Sequence, residues 1–122
     1  PDRPITTGGP MHYRTLGRTG IEVSLLSLGS GGAKMLGQAD GLTQREQTAL
    51  VRRALDLGVN LFDTSQGYGD SEAILGRALE GVPRDSYFLA TKWPPVTAFS
   101  GVSSWATFPA ASAIILSPHL PK

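Results

Sequence analysis

Residues 59–92, VNLFDTSQGYGDSEAILGRALEGVPRDSYFLATK, set the architecture. They open on a short apolar run, Val59-Asn60-Leu61-Phe62, that ends on the carboxylate of Asp63. A strand is predicted there. A helix follows from near Asp70 or Ser71 to about Gly81, because Ile74, Leu75, Ala78 and Leu79 recur at the spacing of one helical face. Tyr87-Phe88-Leu89-Ala90-Thr91 is then a second strand, ending on Lys92. Working upstream, Thr43-Gln44-Arg45-Glu46 has the form of a capping box. Leu50, Val51, Ala54 and Leu55 make an apolar stripe opposite Arg45, Arg52, Arg53 and Asp56, and Gly58 closes this helix. Val23 to Leu28 is too apolar for a strand with one wet face, so it reads as a buried strand stopping at Gly29-Ser30-Gly31-Gly32. Tyr13 to Val23 reads as a hairpin about Gly17-Arg18-Thr19-Gly20.

The order strand, helix, strand, helix, strand with short links is that of a parallel sheet with crossover helices. A doubly wound open sheet and a (β/α) barrel both satisfy it. In either, chemistry gathers at the carboxyl ends of the strands, which singles out Gly29 to Gly32, Asp63 to Gly69, and Lys92.

Composition limits the function. The 122 residues are 40% apolar and 17% charged, with no cysteine and a formal charge of +1. Disulfide scaffolds and thiolate metal sites are excluded, and a near-neutral balance offers no field for nucleic acid or anionic lipid. No run approaches a membrane span, and the opening residues lack the order of a signal peptide, so a cytoplasmic location is expected. Lys122 is the only charged residue after Lys92, and the segment holds five of the nine prolines. Residues 94–122 are therefore expected to be an irregular or disordered tail, rich in Pro, Ser and Ala. Residues 1–10 are expected to be a disordered leader, with Met11 as the natural start, leaving 11–93 as the folded part.

Three strand ends carry candidate chemistry. Gly29-Ser30-Gly31-Gly32 lacks the third glycine of a dinucleotide fingerprint, and no helix follows at once to cradle a pyrophosphate. These glycines either let the chain leave a crowded strand end or let backbone approach a flat ligand. Asp63 and Lys92 close neighbouring apolar runs, so their heads can meet above the sheet. A purely structural ion pair accounts for them as well as catalysis does. Tyr68 lies in the loop over the same face, between Gly67 and Gly69. It is either an amphipathic cap on the rim or a phenol whose proton a nearby ammonium loosens for exchange at neutral pH.

Leu61-Phe62-Asp63-Thr64-Ser65-Gln66-Gly67-Tyr68-Gly69, then Ser71-Glu72, Leu75-Gly76 and Ala90-Thr91-Lys92, resembles the aldo-keto reductase family. So does the opening Tyr13-Arg14-Thr15-Leu16-Gly17-Arg18-Thr19-Gly20, with Val23-Ser24 and Leu28-Gly29 after it. The resemblance covers about Met11 to Lys92 and none of the Pro-rich tail. It implies an α/β fold: the N-terminal portion of a (β/α)8 TIM barrel, made of a hairpin plus three β/α units. It also implies an oxidoreductase that reduces aldehydes or ketones with NADPH, or NAD(H) less often, acting on a small-molecule carbonyl substrate. Tyr68 would be the general acid, Lys92 would act on Tyr68, and Asp63 would hold Lys92. Asp63 would also lie near the nicotinamide ribose, with Gly29 and Ser30 in the floor beneath the ring.

The family's catalytic histidine has no clear counterpart, His119 and His12 both being poor matches. A complete barrel takes about 250 residues. The expectation is a truncated or frameshifted fragment, inactive alone, whose sheet edges stay open unless the tail or a second chain covers them. A rival reading is a non-catalytic relative of the family acting as a binding or regulatory protein. Another is an open-sheet nucleotide-binding module, which needs a helix starting at Gly32, where the capping box at Thr43 argues otherwise.

Overall fold

A computed structural model describes residues 9–93 and 113–117. The chain begins with a hairpin, β1 (Tyr13–Thr15) against β2 (Glu22–Ser24), paired antiparallel with Arg14 opposite Val23. Gly17 and Gly20 take positive φ in its turn, at 53° and 73°, where a side chain would be strained. The hairpin is the predicted one, but its second strand takes Val23 and Ser24. The expected continuous strand Val23 to Leu28 is therefore broken in two, and sheet pairing resumes only at β3 (Leu28–Gly29). Asn60 holds the first part in place. Its Oδ1 accepts from Ser24 N at 2.8 Å, its Nδ2 donates to Glu22 O at 3.0 Å, and its backbone N–H donates to Ser24 Oγ at 3.1 Å. That clamp ties β2 to the residue that precedes the strand at Leu61–Asp63. The chain must bend to reach β3, leaving Leu25 and Leu26 exposed.

Helix α1 (Gln44–Asp56) starts at the predicted box. The Thr43 hydroxyl accepts from Glu46 N at 3.3 Å, and the Glu46 carboxylate accepts from Thr43 N at 2.7 Å. The backbone N–H of Thr43 most of all, and next its hydroxyl, which donates to Glu46 Oε2 at 2.8 Å, hold the Glu46 carboxyl below the usual carboxylate range. Leu57 caps the other end, and Gly58 follows at φ 90°. The apolar stripe is corrected in one place: Val51 is fully buried, but Leu50 is 43% exposed and Gln47 takes a buried position. Packing comes from one flank, where α1 meets α2 (Ser71–Ala78). Arg52 joins the helices, its Nε donating at 2.6 Å to Ala78 O and so satisfying a carbonyl at the end of α2.

Strand β4 (Leu61–Asp63) lies parallel to β3, with Phe62 opposite Leu28 and Asp63 opposite Gly29. A single 3₁₀ turn, Arg84–Ser86, leads into β5 (Phe88–Trp93), parallel to β4 with Asp63 opposite Ala90. The core lies between sheet and helices, where Phe62, Val51, Leu75 and Ala78 are at or near zero exposure. Phe62 meets Tyr87 edge-on at 6.2 Å between ring centroids. Such a fully buried side chain contributes roughly 1.5–3 kcal/mol.

The tail departs from expectation. Ala113–Ser117 forms a strand, β6, antiparallel to β5 with Thr91 opposite Ile115. The sheet order is β3-β4-β5-β6. Two strands, β3 and β4, are each followed by a helix; residues 94–112, directly after β5, lie outside the described residues, and the next described element is the reversed strand β6. The remaining expectations for residues 94–112 and 118–122, His119 included, and for residues 1–8 lie outside the described residues. No helix among the described residues is long and apolar enough to cross a membrane.

Candidate active site

The parallel register dictates the central contact. Asp63 is opposite Ala90, and Lys92 lies two residues further along β5 on the same face. Lys92 Nζ donates to Asp63 Oδ1 at 2.7 Å, to Oδ2 at 2.6 Å and to Thr64 O at 3.1 Å. Three acceptors occupy the three ammonium protons, which fixes the head group in place. The pair is only partly covered, at 26% exposure for the Lys92 side chain and 37% for Asp63. It therefore faces an accessible rim.

Tyr68 is brought to this rim by the β4–α2 loop. Tyr68 N donates to Ser65 O at 3.0 Å, and Ser65 Oγ in turn donates to Lys92 O at 3.4 Å. The loop is thereby stitched to β5. Lys92 Nζ lies 5.5 Å from the centroid of the Tyr68 ring, in cation–π range. Among the described residues the Tyr68 hydroxyl makes no hydrogen bond, so it is open to an incoming group.

The glycine run resolves into separate tasks. At Gly29 an added Cβ would meet nothing within 4 Å, so the backbone opposite Asp63 borders open space. At Gly31 an added Cβ would lie 2.7 Å from Tyr68 Cε2 and Cζ. The flat group against this backbone is thus the chain's own phenol. Ser30, expected beside Gly29 under a ligand, is fully buried. Its N–H donates to Asp63 O at 2.9 Å, its carbonyl accepts from Ser71 Oγ at 2.7 Å, and it presents no surface. Two buried hydroxyls nearby in sequence to the site, Ser30 Oγ and Thr64 Oγ1, have no hydrogen-bond partner among the described residues. Among those residues, no group of three or more acidic or histidine side chains could hold a metal.

Sequence reasoning passed over Gln38. Its side chain reaches from the β3–α1 loop to the carbonyl of Tyr68 at 3.2 Å, and its contacts join segments about thirty residues apart. The local signal was faint: a long helix-free link between Gly29 and Thr43, punctuated by Gly37 and Gly41.

Comparison with known proteins places these motifs. The model of the aldo/keto reductase family matches residues 27–111, beginning after the hairpin and running past Lys92 into the tail. L-galactose dehydrogenase of Arabidopsis thaliana is 44% identical over 87 residues, which cover 67% of this chain and 26% of that protein. Aldo-keto reductase YhdN of Bacillus subtilis is 42% identical over 87 residues, covering 67% and 25%. A solved Pseudomonas aeruginosa chain assigned to the aldo-keto reductases aligns with a TM-score of 0.53 at 38% identity, over 65% of this chain and 30% of that one. The chain thus spans about a quarter of the length of these curated relatives. Its α/β architecture is a part of their TIM-barrel-like fold, and with a family match over most of its length it belongs to the aldo/keto reductase family.

Proposed function

We propose that this segment is the proton-donating corner of an oxidoreductase that converts an aldehyde or ketone to an alcohol with NADPH as the preferred reductant. NADH is the second choice. The observation that carries the reading is the Lys92 ammonium, bound to both oxygens of Asp63 and 5.5 Å from the Tyr68 ring, whose own hydroxyl is unengaged among the described residues.

The residues present fit a nicotinamide ring. Gly29 offers open space within 4 Å beside Asp63, and a side chain at that position would fill it. Gly29 would support the ring and Asp63, with an exposed carboxylate, would accept from a ribose hydroxyl. When bound, the reduced nicotinamide supplies a hydride with its electron pair to the carbonyl carbon. Tyr68 gives its proton to the carbonyl oxygen. Lys92 stabilises the negative charge that develops on the phenol oxygen, and Asp63 keeps Lys92 from turning to solvent. A general acid of this kind is worth about 10²–10⁴-fold in rate.

Residues 11–92 joined to the remaining barrel strands of the Bacillus subtilis relative provide the test, followed by loss of NADPH absorbance with an aldehyde substrate. Tyr68→Phe should lower kcat by that factor with the fold intact. Unchanged turnover would overturn the assignment. The 122-residue chain alone supplies few of the groups that hold a dinucleotide, so it should bind NADPH weakly and turn over nothing. A micromolar dissociation constant for this chain would contradict that part.

A further inference from the structure

We infer that Gln38 is a positioning residue that sets where the Tyr68 phenol lies, an inference that rests on the proton-donor reading of Tyr68. One carboxamide reaches three segments. Its two Nε2 protons are shared among Met35 O at 2.7 Å, Ser71 Oγ at 2.9 Å and Tyr68 O at 3.2 Å, while its Oε1 accepts from Asp70 N at 2.8 Å. Ser71 Oγ then donates to Ser30 O at 2.7 Å. The end of β3, the loop after it and the loop carrying Tyr68 are thus one hydrogen-bonded unit, with Gln38 at its centre.

Two further observations point the same way. Gly69, next to Tyr68, has φ 56°, and an added Cβ there would collide with the Gln38 carboxamide oxygen. The loop that presents Gln38 is itself strained. Met35 and Leu36 take φ of 43° and 57°, and Gly37 continues in the same region at 82°. A non-glycine residue held there costs about 1–3 kcal/mol and persists only where its surroundings over-determine it. Buried Leu36 anchors the loop from below, and Gln38 anchors it across the rim. The strain is spent on placing a carboxamide where it holds the backbone that leaves Tyr68, at Tyr68 O and Asp70 N, while Ser65 O holds Tyr68 N on the other side.

The test uses the 122-residue chain and nuclear magnetic resonance. The probe is the ring-current displacement of the Gly31 Hα signals by the Tyr68 ring, with amide exchange at Asp70 as a second readout and at Thr64 and Ala90 as controls. Gln38→Met removes every side-chain bond. Gln38→Glu keeps an acceptor for Asp70 N–H and removes the donors to Tyr68 O and Ser71 Oγ. In Gln38→Met the Gly31 displacement should fall by at least half and Asp70 exchange should rise tenfold or more. In Gln38→Glu the displacement should fall likewise, with Asp70 exchange within about twofold of the parent. Thr64 and core amides should stay protected in both. Retention of the Gly31 displacement in both variants overturns the inference. So does its loss together with core protection, because Gln38 would then support the whole fold and not the placement of one loop. If Gln38→Met fails to fold, the near-isosteric Gln38→Glu decides alone. None of these readouts needs turnover, so a failure here is separate from a failure of the Tyr68→Phe test.

Discussion

Replacing Gly31 with Ala isolates one contact, the flat approach of the Tyr68 ring to bare backbone. Gly31 has no positive φ, so alanine meets no backbone strain, and the whole effect is steric. The new methyl would lie 2.7 Å from Cε2 and Cζ and 3.0 Å from Cε1 of Tyr68. Ordinary contact begins near 3.4 Å, so the ring must retreat by about 0.7 Å or the β3 end must give way; overpacking of this kind costs about 1–3 kcal/mol. The lower half of that range is expected, because Tyr68 is half-buried on a loop and can swing outward. Swinging outward changes its distance from the Lys92 ammonium. A misplacement approaching 1 Å at a reacting group can cost on the order of 10²-fold in rate. Urea unfolding of four chains, the parent, Gly31→Ala, Tyr68→Ala and the double variant, gives the coupling directly. The penalty of Gly31→Ala should largely vanish once Tyr68 is alanine. An equal penalty in both backgrounds, or none in the parent, would refute the reasoning that this glycine exists to seat the phenol.

Two other perturbations address separate links. Lys92→Met leaves the partly covered Asp63 carboxylate without its cation and should destabilise the chain by roughly 1–2 kcal/mol in urea melts, a loss that Asp63→Asn in the same chain should reduce. Thr43→Ala removes the cap of α1 and should cost about 1 kcal/mol. The capped carboxyl of Glu46 gives this a pH signature. Its folded value is lowered, so its contribution is complete above the unfolded value and is lost as pH falls through the folded one. The stability gap between parent and Thr43→Ala should therefore narrow in acid, and a gap that stays constant from neutral pH to below the carboxylate range would speak against the capping box as its source.

The parts of the fold carried by local chemistry were legible. Thr43 and Glu46 announce the start of α1 because a capping box is a contact between residues three apart. The meeting of Asp63 and Lys92 was legible for a different reason: each follows an apolar run, and neighbouring parallel strands bring their ends to one level. What escaped depends on distant partners. Ile114-Ile115-Leu116 was visible as an apolar run, yet only β5 gives it a strand's hydrogen bonds, and that register is written nowhere nearby. Leu50 fits the helical stripe, but α1 is covered on the flank of Val51 and not on that of Leu50. The hold on β2 ahead of the break comes from Asn60, far along the chain from the exposed Leu25 and Leu26. Gln38 and the seat of Tyr68 on Gly31 escaped for the same reason.

The direction of β6 reaches further than its five residues suggest. A cylinder of staves all running one way grows by adding another in the same sense, and β3, β4 and β5 obey that rule. Ala113–Ser117 is laid head to tail against the last of them, from Leu89 opposite Ser117 to Trp93 opposite Ala113. It uses the lateral bonding groups on which a fourth co-directional stave would dock. Any further closure of the cylinder at this side must first peel that segment away, trading one set of backbone bonds for another of similar number. The reversed stave therefore acts as a stopper: it covers the margin of β5 and, by the same contacts, occupies the place of the next co-directional stave.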